Sequence, residues 1–435
     1  MITANSTTSS YRRSCWAICS VKKSGRNYTG LCPFHSEKTP SFTVSPDKEI
    51  YHCFGCGAGG DVIKFVMDIE NYSFIEAVGF LATEAGITLP KLEYIQPEED
   101  GRKTQLVQAH DLAAKLFHYL LLETEHGKEP YRYLLDRGVS KTAIETFQIG
   151  FATSSWDFLK KFLVKRGYTE EFLEEAGLLA RNENGYFDRF RNRIMFPIYD
   201  PKGRVIAFGG RVMDDSLPKY LNSPETLIFN KSKTLYNLHL AAKEIRKKRQ
   251  AILFEGYIDT ISTWNAEVYN GVATLGTSMT EQHAQILRRY ADEIIISYDS
   301  DSAGQQATYK AIELLQPLGF QLKIAQMPQG LDPDDYVRTY GTRAFKEQIL
   351  TTTISATAFK LNFIRKDYQI SEENEQLKYI AKALEMIVDL PRAIEREHYL
   401  RGIADEFKLS YESLKNDMNQ IYYEKRKKRI NRGII

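Results

Sequence analysis

The chain has 435 residues, more than one ordinary hydrophobic core organises, so about two to four domains are expected. Hydrophobic residues make up 43% and charged ones 26%, which excludes a disordered or fibrous chain, and five cysteines are too few for a disulfide framework at this length. The formal charge of +2 decides little by itself. Its distribution says more, because Lys and Arg collect in "YRR", "VKKSGR", "RFRNR", "EIRKKR" and the terminal "EKRKKRINR", clustering that suits a polyanion.

The opening "MITANSTTSSYRRSCWAICS" lacks the apolar core of a signal peptide, and no later run is long enough to cross a bilayer. No membrane contact and a cytoplasmic address are therefore expected. A Cys/His module follows, predicted as a zinc ribbon within residues 1–95. In "CPFHSEKTPSFTVSPDKEIYHCFGC" the pairs Cys32-x2-His35 and Cys53-x2-Cys56 stand at knuckle spacing, seventeen residues apart. Two such pairs fill all four positions of a tetrahedral zinc, which makes the site structural. His52 is a weaker alternative to Cys53, and Cys15 and Cys19 fit no pair. Lys22, Lys23, Arg26 and Lys38 interleave with Phe34, Phe42, Tyr51 and Phe54, a mixture suited to single-stranded nucleic acid. For Phe42 and Phe54, filling a small core is an equal alternative.

Beyond the linker "LPKLEYIQPEEDGRK", a helical pattern from Thr104 to Leu135 opens a mixed α+β segment, residues 104–245. Short strands punctuated by Gly and Pro run from Phe147 to Tyr236, with "DPKG" as a hairpin turn. Residues 250–340 alternate short apolar strands with helical patterns: "AILFEG", "YIDTISTWNA", "GVATLG", "TEQHAQILRRYA", "EIIISYD", "AGQQATYKAIELLQPL" and "LKIAQMP". This βαβαβαβ order predicts a parallel sheet covered by helices. Residues 344–435 read as helical, and the final "EKRKKRINRGII" loses apolar periodicity, so its helix is expected to fray. The fold class is thus α+β multidomain.

Ligands of an open parallel sheet bind at the carboxyl ends of its strands. Glu255 ends the first strand, Asp299 and Asp301 end "EIIISY", and Asp332 and Asp334 follow the last in "GLDPDD". Asp259 lies one turn into the first helix. Carboxylates gathered on one rim repel, so Mg²⁺ or Mn²⁺ is expected among them. Helix capping is the alternative for any single aspartate. Gly304 opens a helix whose N-terminus faces the same rim and suits a phosphate.

"FEGYIDT", "DSDSAG" and "DPDD" resemble the Toprim module shared by bacterial DnaG-type primases, topoisomerases and some nucleases. That resemblance implies that Glu255, Asp299 and Asp301 bind the metals, with Asp259, Asp332 and Asp334 supporting them. The cysteine module from "KKSGRNY" to "GCGAGGDVIKFVM" resembles the zinc-binding domain that begins DnaG-type primases. "RFRNRIMFPIYDPKGRVIAFGGRV", "PKYLNSPET" and "FNKSKTLYNL" resemble the primase N-terminal catalytic subdomain. By that resemblance Arg137, Arg211, Lys219, Asn222 and Lys231 line the path of template and incoming nucleotides. What the family implies is an enzyme that makes RNA primers from ribonucleoside triphosphates on single-stranded DNA at the replication fork in the nucleoid. Its partners there are the DnaB-type replicative helicase and, as a further candidate, single-strand binding protein. The family's usual opening helix is replaced here by a Ser/Thr-rich stretch. Its helicase-gripping domain is expected to be absent, so helicase stimulation is not expected. A Toprim topoisomerase or nuclease, or a zinc-dependent single-strand binder without catalysis, are the alternatives. No G-x4-G-K-[ST] loop occurs, which argues against a fused helicase.

Overall fold

The structure, a computed structural model, describes residues 21–35, 37, 39–70, 74–85, 87, 98–276 and 278–431. Lys38, Cys15 and Cys19 lie outside the described residues.

The cysteine module is a five-stranded antiparallel sheet, in spatial order β1 (Lys22–Ser24), β2 (Asn27–Gly30), β3 (Phe42–Ser45), β4 (Ile50–Cys53) and β5 (Gly59–Gly60). Phe42 faces Cys53 across the β3–β4 pair, and Val44 faces Tyr51. The period-two pattern turns these four inward, where Phe65 and Val66 of the helix Val62–Glu70 cover them. Phe42 is therefore core, whereas Phe54, 76% exposed, is surface.

In the middle segment the predicted helix is two, Glu98–Glu123 and Lys128–Asp136. They are separated at Gly127, where a Cβ would stand 2.1 Å from the Leu121 carbonyl oxygen. Next come β6 (Gly150–Ala152) and the hairpin of β7 (Leu179–Asn182) and β8 (Gly185–Asp188). β9 (Arg193–Tyr199) and β10 (Val205–Arg211) follow, then β11 (Tyr220–Asn222). β11-β10-β9-β6 is an antiparallel sheet, and Asp200 organises the β9–β10 turn as "DPKG" predicts, its carboxylate accepting from the Lys202 and Arg204 N–H groups.

The acidic segment forms β12 (Gln250–Phe254), β13 (Gly271–Ala273), β14 (Glu293–Ile296) and β15 (Gln321–Ile324), all parallel, in the order β13-β12-β14-β15. A fifth strand, β16 (Ile354–Ser355), joins β15 antiparallel within the stretch read as wholly helical. Two residues are too short for periodicity to reveal. The middle sheet and the parallel sheet share one core: Phe196, Ile198 and Ile206 cluster with Ile252, Phe254 and Tyr257, and the Phe196 and Tyr257 rings lie 4.7 Å apart.

A helical subdomain follows, with Ala356–Arg365, Glu373–Ile387, Ala393–Phe407 and Tyr411–Asn431 around Leu361, Leu384, Ile387, Leu400 and Leu414. The terminal helix runs past the point where the sequence loses its apolar period. It continues to Asn431, and Lys425 anchors it on Asp389 (2.6 Å) and the Glu385 carbonyl (2.7 Å). Among the described residues no helix is long and apolar enough to cross a membrane.

Two core histidines set an acid limit on this packing. His110 is fully buried, donates its Nδ1–H to the Leu106 carbonyl at 2.8 Å and stacks on Phe208, while His239 stacks on Tyr199 at 4.2 Å. Burial lowers both from 6.5 to about 4. The unfolded chain thus binds more protons between those values, so stability present above pH 6.5 is lost as pH falls toward 4. The difference between wild type and His110→Leu isolates this contribution: from pH 6.5 toward 4 the wild-type melting temperature should fall relative to that of the variant, and parallel curves would show that His110 does not contribute.

Candidate active site and metal centres

The four thiol and imidazole ligands converge as predicted. One atom from each of Cys32, His35, Cys53 and Cys56 lies within 4.8 Å of the others. Cys53 Sγ is 3.6 Å from His35 Nδ1, and Cys32 Sγ is 3.8 Å from Cys56 Sγ. Edges of about 3.8 Å are what a tetrahedron with 2.3 Å zinc–sulfur bonds has. Backbone N–H groups of Phe34 (3.3 Å to Cys32 Sγ), Gly55 (3.3 Å) and Cys56 (3.4 Å, both to Cys53 Sγ) point at the sulfurs, which suits thiolates. Burial pushes the Cys32 thiol up, whereas Cys53, despite burial, is drawn down to about 7 by the Ser41 hydroxyl and those N–H groups. His52 is no ligand: it stands on the exposed face of β4 against Phe54. Lys22 and Arg26 are exposed on the β1–β2 hairpin.

The second centre is a cleft of about 380 Å³ at the carboxyl ends of β12, β14 and β15. Glu255, Asp259, Asp299, Asp332 and Asp334 line it, as the strand-end argument requires, and Asp335 joins them. Backbone N–H groups hold three of them. Glu255 Oε1 accepts from the Asp299 N–H at 3.1 Å, Asp259 from the Gly256 N–H at 3.2 Å, and Asp332 caps the helix Pro333–Tyr340 through the Asp335 N–H at 2.6 Å. Asp301 is different. It is exposed, caps the helix Ser302–Leu315 through the Gly304 N–H at 2.7 Å, and acts on Glu255 and Asp299 through its charge.

Crowded carboxylates without a counter-ion should resist ionisation, and these do. Asp299 is raised to about 7 by burial and then by Glu255, Asp332 and Asp301. Burial also raises Glu255 and Asp332, and it drives Asp259 far up with help from Asp332, Asp299 and Asp334. Asp299 Oδ1 is buried with no hydrogen-bond partner. An all-oxygen donor set carrying an orphaned carboxylate oxygen fits a hard divalent cation.

The opposite wall is basic. Arg211, Lys219, Tyr220 and Asn222 come from β10, β11 and the loop between them, and Arg211 donates to the Tyr220 hydroxyl at 2.9 Å. Arg137 is ion-paired to Asp334. Lys231 is not among the lining residues. It opens a short 3-10 turn, where its N–H donates to Glu225 (2.9 Å) and its carbonyl faces His283 Nε2 (2.8 Å).

Sequence reasoning missed the residues that fix Asp334. Ser262 donates to one of its oxygens, and Arg338 Nε lies 3.4 Å from the other. The spacings were visible, since Ser262 is three residues past Asp259 and Arg338 four past Asp334. Which helix faces turn toward the cleft depends on how Tyr257–Asn265 packs on Pro333–Tyr340.

A parallel sheet presenting acids to a basic antiparallel wall, preceded by a closed zinc ribbon, defines a metal-dependent enzyme of phosphodiester chemistry. The sequence matches family models described as CHC2 zinc finger over residues 17–96, DNA primase catalytic core, N-terminal domain, over 117–242, and Toprim-like over 252–337. The DNA primase of Halalkalibacterium halodurans is 47% identical over 95% of this chain and 69% of its own length, and that of Geobacillus stearothermophilus 44% over 94% and 69%. The Aquifex aeolicus primase, zinc-binding and RNA polymerase domains, aligns with a TM-score of 0.58 and 31% identity, covering 95% of this chain and 99% of that one. A DnaG primase catalytic domain bound to single-stranded DNA aligns at 0.61 and 33%, over 72% and 99%. The chain belongs to the DnaG-type DNA primases, and its activity is the synthesis of RNA primers. It uses one structural zinc and a catalytic divalent cation.

A fourth match corrects one expectation. Residues 357–411 fit the DnaB-helicase binding domain of primase, so this helical subdomain carries what the sequence reading took to be missing.

Gly304 tests the acidic cleft without touching an acid. A Cβ there would stand 2.4 Å from the Asp299 carbonyl oxygen and 2.8 Å from Glu255 Oε1. Backbone cannot yield cheaply, and an ångström of misplacement costs roughly 100-fold. Gly304→Ala should lose Mn²⁺ affinity by calorimetry and primer synthesis by about that factor. Gly79→Ala, with nothing within 4 Å, should lose neither.

Proposed function

We propose that Glu255, Asp299 and Asp301 hold the catalytic cations, with Asp259, Asp332 and Asp334 as the supporting acids. The observation that carries this is the convergence of three strand ends on one cleft, faced by Arg211, Lys219, Tyr220 and Asn222. A bound divalent cation acidifies the attacking 3′-hydroxyl and offsets the charge developing on the phosphoryl oxygens. The chain's own residues do the rest. Lys219 and Arg211 neutralise the incoming triphosphate, and Asn222, tethered by its amide to the Leu275 carbonyl (3.0 Å), fixes the wall between nucleotide and sheet. Asp334 holds Arg137 at the cleft as a second cation for phosphate. Lys231 contributes charge farther along the path.

The template is single-stranded DNA. Lys22 and Arg26 meet its phosphates, and exposed Phe54 offers a face for a base, a role that buried Phe42 cannot take. Residues 357–411 contact a DnaB-type helicase, which places the enzyme at the replication fork in the nucleoid. The chain divides into a zinc domain (1–95), a basic catalytic subdomain (104–245), the Toprim domain (250–340) and a helical subdomain (344–435). Residues up to Phe359 complete the Toprim core.

Incubation with single-stranded DNA and labelled ribonucleotides should give short RNA. Asp299→Asn should abolish it while leaving template affinity intact, and Lys219→Ala should raise the nucleotide concentration needed for initiation. Nicked DNA without RNA would overturn the assignment.

A further inference from the structure

The zinc ribbon contains a carboxylate that no ligand set requires. Glu37 sits between the first knuckle and β3 with its side chain 9% exposed. Its Oε1 accepts from the Cys32 N–H at 2.7 Å and the Ser41 N–H at 3.0 Å, which closes the loop between those residues from inside. Its Oε2 accepts from the Ser41 hydroxyl and lies 3.3 Å from His35 Nε2. The other ring nitrogen, Nδ1, is the one turned toward Cys53 Sγ. Ser41 Oγ is itself 3.1 Å from that sulfur. One carboxylate thus reaches three of the four ligand residues: Cys32 through its N–H, His35 through its ring, and Cys53 through a shared hydroxyl.

The space around this arrangement is closed. A Cβ at Gly55 would stand 2.6 Å from His35 Nε2, 2.7 Å from its Cε1 and 2.9 Å from Ser41 Oγ. The ring and the hydroxyl therefore occupy the volume over Gly55, so a side chain there would displace them.

We propose that Glu37 is the positioning residue of the zinc site, setting how tightly His35 and Cys32 hold the metal. An imidazole whose Nε2–H donates to a carboxylate keeps its proton on that nitrogen, so Nδ1 presents a lone pair to the metal and gains basicity. The same carboxylate fixes the backbone that carries Cys32, and Ser41 extends its reach to Cys53. The proposal rests on the zinc reading of the four ligands.

The test uses the full chain loaded with zinc and, separately, with Co²⁺. Glu37→Gln keeps the size and one oxygen but presents an N–H to the imidazole N–H. It should release zinc to a chelator about 10- to 100-fold faster and shift the cobalt ligand-field bands while the ribbon stays folded. Gly55→Ala leaves Glu37 in place and displaces the ring, and it should reproduce both effects. A Glu37→Gln protein that is folded, with wild-type zinc release and wild-type cobalt bands, overturns the proposal. If Glu37→Gln does not fold, Gly55→Ala decides alone, and wild-type behaviour there overturns it equally. Absence of zinc from the wild-type chain would instead sink the reading on which it rests.

Discussion

The constraint that organises the catalytic half of the molecule is mutual repulsion among carboxylates that the sheet forces together. Parallel strands end on the same rim, so residues after β12, β14 and β15 cannot avoid each other. Four of the acids are tied down by a backbone N–H, Glu255 by Asp299, Asp259 by Gly256, Asp301 by Gly304 and Asp332 by Asp335, while Asp299 Oδ1 has no partner. Asp334 is balanced by the side-chain cations Arg137 and Arg338, and Asp335 also pairs with Arg338. These contacts fix geometry but do not neutralise the set, since burial and neighbouring charge still raise Asp259, Asp299, Glu255 and Asp332. The remaining charge is what a cation meets.

A rim under such strain needs a stiff base, and the shared core provides it. Tyr257 begins the helix that carries Asp259, and its ring packs against Phe196 of β9 while closing over Gly209 of β10, where a Cβ would come within 2.7 Å. The basic wall on β10 and β11 is therefore held at a fixed separation from the acids. Acids and cations thus face each other across the cleft from two surfaces of one continuous core.

Much of this was legible in the sequence. The short apolar runs "AILF" and "EIII" became parallel strands, and the paired knuckle spacings became four convergent ligands, because both patterns encode local geometry. His52 could have been set aside by alternation: with Tyr51 and Cys53 inward on β4, the residue between them faces out. What was not legible depends on packing between distant elements. Ser262 reaches Asp334 only once two helices are docked, whereas Arg338 does so as an i,i+4 neighbour on the same helix, and Lys231 looked like a cleft residue until the turn at Asn230 placed it elsewhere. The helicase-binding segment reads as ordinary amphipathic helix, since its surface carries the function and periodicity reports only its buried stripe. The terminal helix packs through Leu414, Met418 and Ile421, and farther along Lys425 meets a carboxylate and a carbonyl on a neighbour, contacts that no apolar period predicts.

The two metal centres place opposite demands on folding. The ribbon's core is small, essentially Phe42, Val44, Tyr51, Phe65 and Val66 around two of the cysteines, and domains of that size are usually stapled by a metal or disulfide. Closing all four positions with protein ligands gives the metal's binding energy to the fold. The acidic cleft does the reverse. Its carboxylates cost stability when bare, which the large apolar core beneath them offsets, and a cation held by these acids would have the open face between strand ends and basic wall free for ligands from outside the chain. A closed N/S site that builds structure and an open O site that consumes stability are thus two uses of the same physics, distinguished by whether the chain supplies every ligand or leaves some to the substrate.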